Sequence, residues 1–139
     1  MFEGYKLKFY YDDQKLYEPE YHMALSEKQA KAICDKLSRH FKVWVWLGWH
    51  KNKMGIYRRS WTGKGEIWLP QGRADLGLLC HEISHAIHHQ KYHKRGHNRQ
   101  LRRIMDRVVG YCRKKNYWQK SPILNFLELD CAIGAQAVE

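Results

Sequence analysis

Two histidines four residues apart, His81 and His85, enclose Glu82-Ile83-Ser84 in a stretch whose apolar residues recur with the period of an α-helix. Leu76, Leu79, Cys80, Ile83 and Ile87 mark one side of that helix, and at about 100° per residue they fall roughly opposite the two imidazoles. The helix therefore has a core face and a separate histidine face. No other stretch of the chain constrains the fold as tightly.

Residues four apart on a helix project from the same side, so His81 and His85 can present two ring nitrogens to one point. That point suits a metal. Zinc takes neutral imidazole at about 2.0–2.1 Å, and a catalytic zinc uses three protein ligands with the fourth position left to water. Glu82 lies on the flank of the pair, close enough to take a proton from that water without filling the open position. A third ligand is available in His97, which follows His85 after eleven intervening residues and comes just after Gly96, whose freedom permits the chain to turn back. His88, His89 and His93 are the nearby substitutes. Nine histidines in 139 residues raise the odds of a chance match, and a lone H-E-x-x-H can be ordinary helix surface. The separate faces and the spaced third histidine favour one Zn2+ ion.

A length of 139 residues fits one domain, 1–139, with a core that needs no staple and a frayed tail at 132–139. The start of the chain shows no apolar region behind a basic one, and no apolar run approaches the length of a membrane span, so the expectation is an intracellular, cytoplasmic protein. Cys34, Cys80, Cys112 and Cys131 include no C-x-x-C pair and read as reduced, mostly buried thiols. The formal charge of +11 favours an acidic partner, of which nucleic acid is the commonest in a cytosol.

Along the chain, alternation from Tyr5 to Tyr11 predicts a half-buried strand, followed by irregular chain at Asp12-Asp13 and Glu18-Pro19. Ser26 with Gln29 predicts a capping box, Leu25 and Ala30 a staple, and Ala30, Ile33, Cys34, Leu37 and Phe41 the apolar stripe of a helix over 27–40. Val43 to Leu47 reads as a central strand covered on both faces and ended by Gly48. Residues 54–59 and 65–69 are two further strands, with Pro70 stopping the second. One strand edge beside the metal can pair with an extended peptide. The histidine helix runs from about Ala74 to Tyr92, and the next from about Asn98 to Lys115. The latter carries Leu101, Ile104, Met105, Val108 and Cys112 on one face and Arg99, Arg103, Arg107 and Lys114 on another. That basic stripe can track a DNA backbone, although a charge run on a helix is often just a solvated face. A short helix over 121–129 closes an α+β fold with an N-terminal helix and a small, mostly antiparallel sheet.

The run from His81 to Met105, HEISHAIHHQKYHKRGHNRQLRRIM, resembles the SprT-like zinc metallopeptidases, relatives of the Spartan proteases. In that family H-E-x-x-H is followed about a dozen residues later by a third His, a polar pair and an apolar helical turn, positions that fall here on His81, Glu82, His85, His97, Leu101 and Met105. The segment Gly65 to Pro70 is similar to the strand that enters the active-site helix. The likeness spans roughly Gly65 to Val109. It departs where the usual Gly after the third His is Asn98, where the usual aromatic is Leu101, and in lacking the cysteine-rich zinc ribbon of longer members.

The resemblance implies a zincin-like minimal metallopeptidase domain, with zinc on His81, His85 and His97, water activated by Glu82, and substrates among DNA-associated proteins. Compact members occur in bacteria and their viruses. A donor for the developing oxyanion is also needed, and His88, Tyr92 and Tyr111 are candidates. Two other readings stand beside this one. The chain can be a basic nucleic-acid-binding module with a structural or vestigial zinc site, or the same metal and base can hydrolyse a non-peptide substrate.

Overall fold

A computed structural model describes residue 9 and residues 12–59 and 64–117 of the chain. The fold is α+β, with helices packed on a three-stranded mixed sheet. Residues 12–16 are helical and lead through a cis Glu18-Pro19 bond into a 3-10 turn, Glu20–His22. Then follow α1 (Glu27–Phe41), β1 (Val45–His50), β2 (Ile56–Arg59), β3 (Gly65–Pro70), α2 (Leu76–Tyr92) and α3 (Arg99–Lys114).

The helices obey their local signals. Ser26 and Gln29 form the reciprocal capping box at the start of α1, and Ala30, Ile33, Cys34 and Leu37 are buried behind it. Asp75 caps α2 by accepting from the Leu78 N–H at 2.8 Å, and Asn98 caps α3 by accepting from Leu101 N–H at 3.0 Å. In α3 the stripe Leu101, Ile104, Met105, Val108 and Cys112 is buried, while Arg99, Arg103, Arg107 and Lys114 are exposed. No helix among the described residues is long and apolar enough to cross a membrane.

The sheet departs from expectation. Its order is β1-β3-β2, with β1 parallel to β3 and β2 antiparallel to it, so the sheet is mixed rather than mostly antiparallel. Gly48 does not end β1, which runs on to His50. A β-carbon at Gly48 would stand 2.5 Å from Trp46 Cζ3 and 3.0 Å from Trp68 Cζ3, so this glycine makes room for two indoles on the outer face. Nor is β1 a central strand covered on two faces. Trp46 is 49% and Trp44 68% exposed, and β3 holds the centre. The run Val43 to Leu47 is apolar throughout, which hides the alternation that separates inward from outward residues.

The N-terminal stretch also differs. Phe9 is helical, as are 12–16, so neither a strand through residue 9 nor irregular chain at Asp12-Asp13 holds. The other residues of the expected strand at 5–11, the helix at 121–129, Cys131 and the tail at 132–139 lie outside the described residues. Asp13, Tyr17 and Glu20 recur along one side of this stretch and bind α3: Asp13 pairs with Arg102, Tyr17 donates to Asp106, and Glu20 accepts from Arg113 Nε at 2.5 Å.

The result is a layered body in which α2 lies between the sheet and α3. Helix α2 is held at both ends. Leu25 N–H donates to Ala74 and Leu76 N–H to Met23, while Gln90 exchanges two hydrogen bonds with the Trp44 backbone. Ser84 donates to the Cys80 carbonyl, and its Oγ lies 3.4 Å from Met105 Sδ at the contact with α3. Cys34, Cys80 and Cys112 are buried free thiols, with the sulfurs of Cys80 and Cys112 3.6 Å apart.

Candidate metal centre

Helix α2 carries His81, Glu82 and His85 because its period places them together, and most of its residues are buried. The chain then reverses. His93 takes the left-handed conformation at the C-cap with φ 57°, its N–H and that of Lys94 satisfy the last carbonyls of α2, and Gly96 follows at φ 89°. The reversal begins three residues before the glycine that signalled it. It returns His97 to the face of α2 just before Asn98 opens α3.

The three imidazoles meet. His81 Nε2 lies 3.2 Å from His85 Nε2 and 3.3 Å from His97 Nε2, and the last two are 3.2 Å apart. A tetrahedral zinc bound at about 2.0–2.1 Å would hold its nitrogens about 3.3–3.4 Å apart, so the triangle fits such an ion with almost no adjustment. The three rings can therefore hold a metal ion together. His88, His89 and His93 are not needed as substitutes.

The electrostatics suit a ligand set. His81 is 1% exposed, and burial, followed by the nearby His97 and Arg102, holds its pKa well below the ordinary 6.5. It is thus a neutral imidazole, the form that binds metals. Its Nδ1–H donates to Asp13 Oδ2 at 2.6 Å, which leaves the Nε2 lone pair aimed at the other two rings. With the protons of His85 and His97 likewise on Nδ1, all three Nε2 lone pairs would be open to a single cation.

Glu82 is buried beside this group at 1% exposure. Its carboxylate lies against Gly55, the residue immediately before β2, so that a β-carbon there would stand 2.8 Å from Oε2. Leu78 completes that wall. Glu82 is thus a buried carboxylate one residue from His81, fenced by backbone and an apolar side chain.

The three candidates for oxyanion donor are otherwise engaged. His88 is fully buried, with Nε2–H donating to Gln100 Oε1 at 3.1 Å, and burial lowers its pKa. Tyr111 stacks on His40, ring centroids 3.9 Å apart, and packs on Phe41. The Tyr92 hydroxyl accepts from Arg107 Nη2 at 3.2 Å. Asp13, Arg102 and Gly55 escaped notice in the sequence. The one available signal was the helical spacing of Asp13, Tyr17 and Glu20. Comparison with protein-family models, with curated proteins and with solved structures returned no match.

Proposed function

We propose that this protein is a zinc-dependent endopeptidase of zincin-like design, in which His81, His85 and His97 hold one ion and Glu82 is the general base. The observation that carries the reading is the 3.2–3.3 Å triangle of Nε2 atoms with a buried glutamate next to it. Zinc bound there would polarise a scissile carbonyl and bring the pKa of its water down toward about 7. Glu82 would take the proton from that water and pass it to the leaving amine. Asp13 holds the ring of His81 while this happens. Strand β2 supports a peptide as substrate, since among the described strands it pairs with β3 alone and an extended peptide would add along its other side. Gly55, the residue immediately before that strand, lies directly against Glu82, so a peptide paired there would run past the base. The resemblance of residues 81–105 to SprT-like metallopeptidases points the same way.

The exposed stripe Arg99, Arg103, Arg107 and Lys114 favours an acidic partner, and we assign it to contact with DNA near which substrate proteins lie. The test is Glu82→Gln. Zinc content should match the parent, while cleavage of an unstructured protein substrate, offered with and without DNA, should vanish. Retained cleavage would remove Glu82 as base. Zinc and DNA binding by the parent with no cleavage of any substrate would leave the nucleic-acid-binding alternative standing.

A further inference from the structure

We propose that Asp13 is the outer carboxylate of the metal centre, a positioning residue that fixes the tautomer and ring orientation of His81 and is itself anchored by Arg102. The inference rests on the metal-binding part of the reading above and is independent of the reaction catalysed.

Asp13 is completely buried. A carboxylate removed from water is costly unless both oxygens are partnered, and here the two are divided between different groups. Oδ2 accepts from His81 Nδ1 at 2.6 Å, and Oδ1 is bound by Arg102 Nη1. A carboxylate oxygen can only accept from a ring N–H, so the His81 contact places a proton on Nδ1 while Nε2 faces the other two rings. A carboxylate on that N–H locks the proton on Nδ1, fixes the ring plane, and raises the basicity of Nε2 toward an ion.

The anchoring of Asp13 extends beyond its own two bonds. Arg102 lies 4.4 Å over the ring of Phe9, and that ring packs 5.6 Å from His81 and 4.6 Å from His97, centroid to centroid. Further along, Tyr17 and Glu20 bind Asp106 and Arg113 of α3. The N-terminal stretch is thereby docked along α3 at three points, and the first of them delivers a carboxylate to the back of a ligand. Tyr17 also contacts Arg102, whose guanidinium lies 5.8 Å over its ring, whereas Glu20 to Arg113 is a bond of the same dock made to neither a histidine nor Arg102, which supplies the control.

The experiment is a zinc titration of the zinc-free protein against a competing chelator, for the parent, Asp13→Ala, Asp13→Asn and Glu20→Gln. Asp13→Ala should weaken zinc binding about 10–100-fold, Asp13→Asn by less, and Glu20→Gln should leave it unchanged. Nitrogen-15 NMR of the zinc-free parent should find the His81 proton on Nδ1, and Asp13→Ala should release it to both nitrogens. Equal affinity of parent and Asp13→Ala overturns the proposal, as does equal weakening by Glu20→Gln, which would make the effect one of docking alone. Where Asp13→Ala shows no cooperative melt, Asp13→Asn decides, and unchanged affinity in it overturns the proposal. A parent that takes up no zinc defeats the metal centre itself and this role with it. A parent that binds zinc while the Asp13 variants match it defeats the role of Asp13 alone.

Discussion

Gly55 and Glu82 are in contact across the start of β2: the glycine backbone lies so near the carboxylate that a β-carbon would stand 2.8 Å from Oε2 and 3.1 Å from Cγ. Leu78 Cδ2 at 3.2 Å closes the same space. Gly55→Ala should therefore push the Glu82 side chain from its place without touching a histidine. A displacement of about 1 Å at a reacting group can cost about 10²-fold in rate. The expected outcome is a loss of the proposed peptidase activity of that order with zinc affinity near the parent's. Full activity in this variant would mean that the carboxylate position is not what the chemistry uses.

His97 is delivered by a turn rather than by the helix that holds its two partners, yet its Nε2 completes a triangle with sides of 3.2–3.3 Å. Truncating it to Ala leaves two ligands. Zinc affinity should fall by more than the about 10–100-fold that removal of an outer partner costs. The same chelator competition reads the effect, and unchanged occupancy would move the third ligand elsewhere.

His88 supplies a pH dependence separate from the metal ligands. Its pKa is lowered by burial, so below pH 6.5 the unfolded chain takes up a proton that the folded chain refuses. Stability is then lost as pH falls through that region. Asp13 and Asp75 act oppositely, because burial raises both to about 6 and the folded state gains protons there first. Comparing His88→Phe with the parent, both zinc-free, cancels those terms. Between pH 7 and pH 5 the variant should lose less of its denaturation midpoint than the parent does. Equal losses would show that the His88 ring is protonated in the folded state as easily as in water.

Arg103 and Arg107 are exposed on the solvent side of α3, away from the residues that bind the N-terminal stretch. Reversing both to Glu should weaken duplex DNA binding and reduce the slope of log affinity against log salt by about 0.9 for each phosphate that the variant no longer neutralises. Affinity indifferent to salt and to both reversals would leave the stripe as a solvated face.

Much of this architecture could be read from local pattern. The capping residues Ser26, Asp75 and Asn98 and the stripes of α1, α2 and α3 are set by neighbours three and four positions away, and the helices begin and end within a residue or two of where those patterns place them. The sheet was harder to read. Trp44 to Leu47 carries no alternation, and Gly48 resembles a terminator until Trp68 is seen beside it.

Sequence alone determined which residues share a helical face: His81, Glu82 and His85 on one helix, and a basic stripe opposite an apolar one on the next. Only the tertiary structure decided what meets that first face. Asp13 reaches His81 from 68 positions away and Arg102 reaches Asp13 from 89, while β1 joins β3 in parallel across the intervening β2. Helical periodicity is imposed by the backbone within a single turn. Contacts between distant segments depend instead on how whole layers pack, and leave no regular spacing along the chain from which they can be recognised.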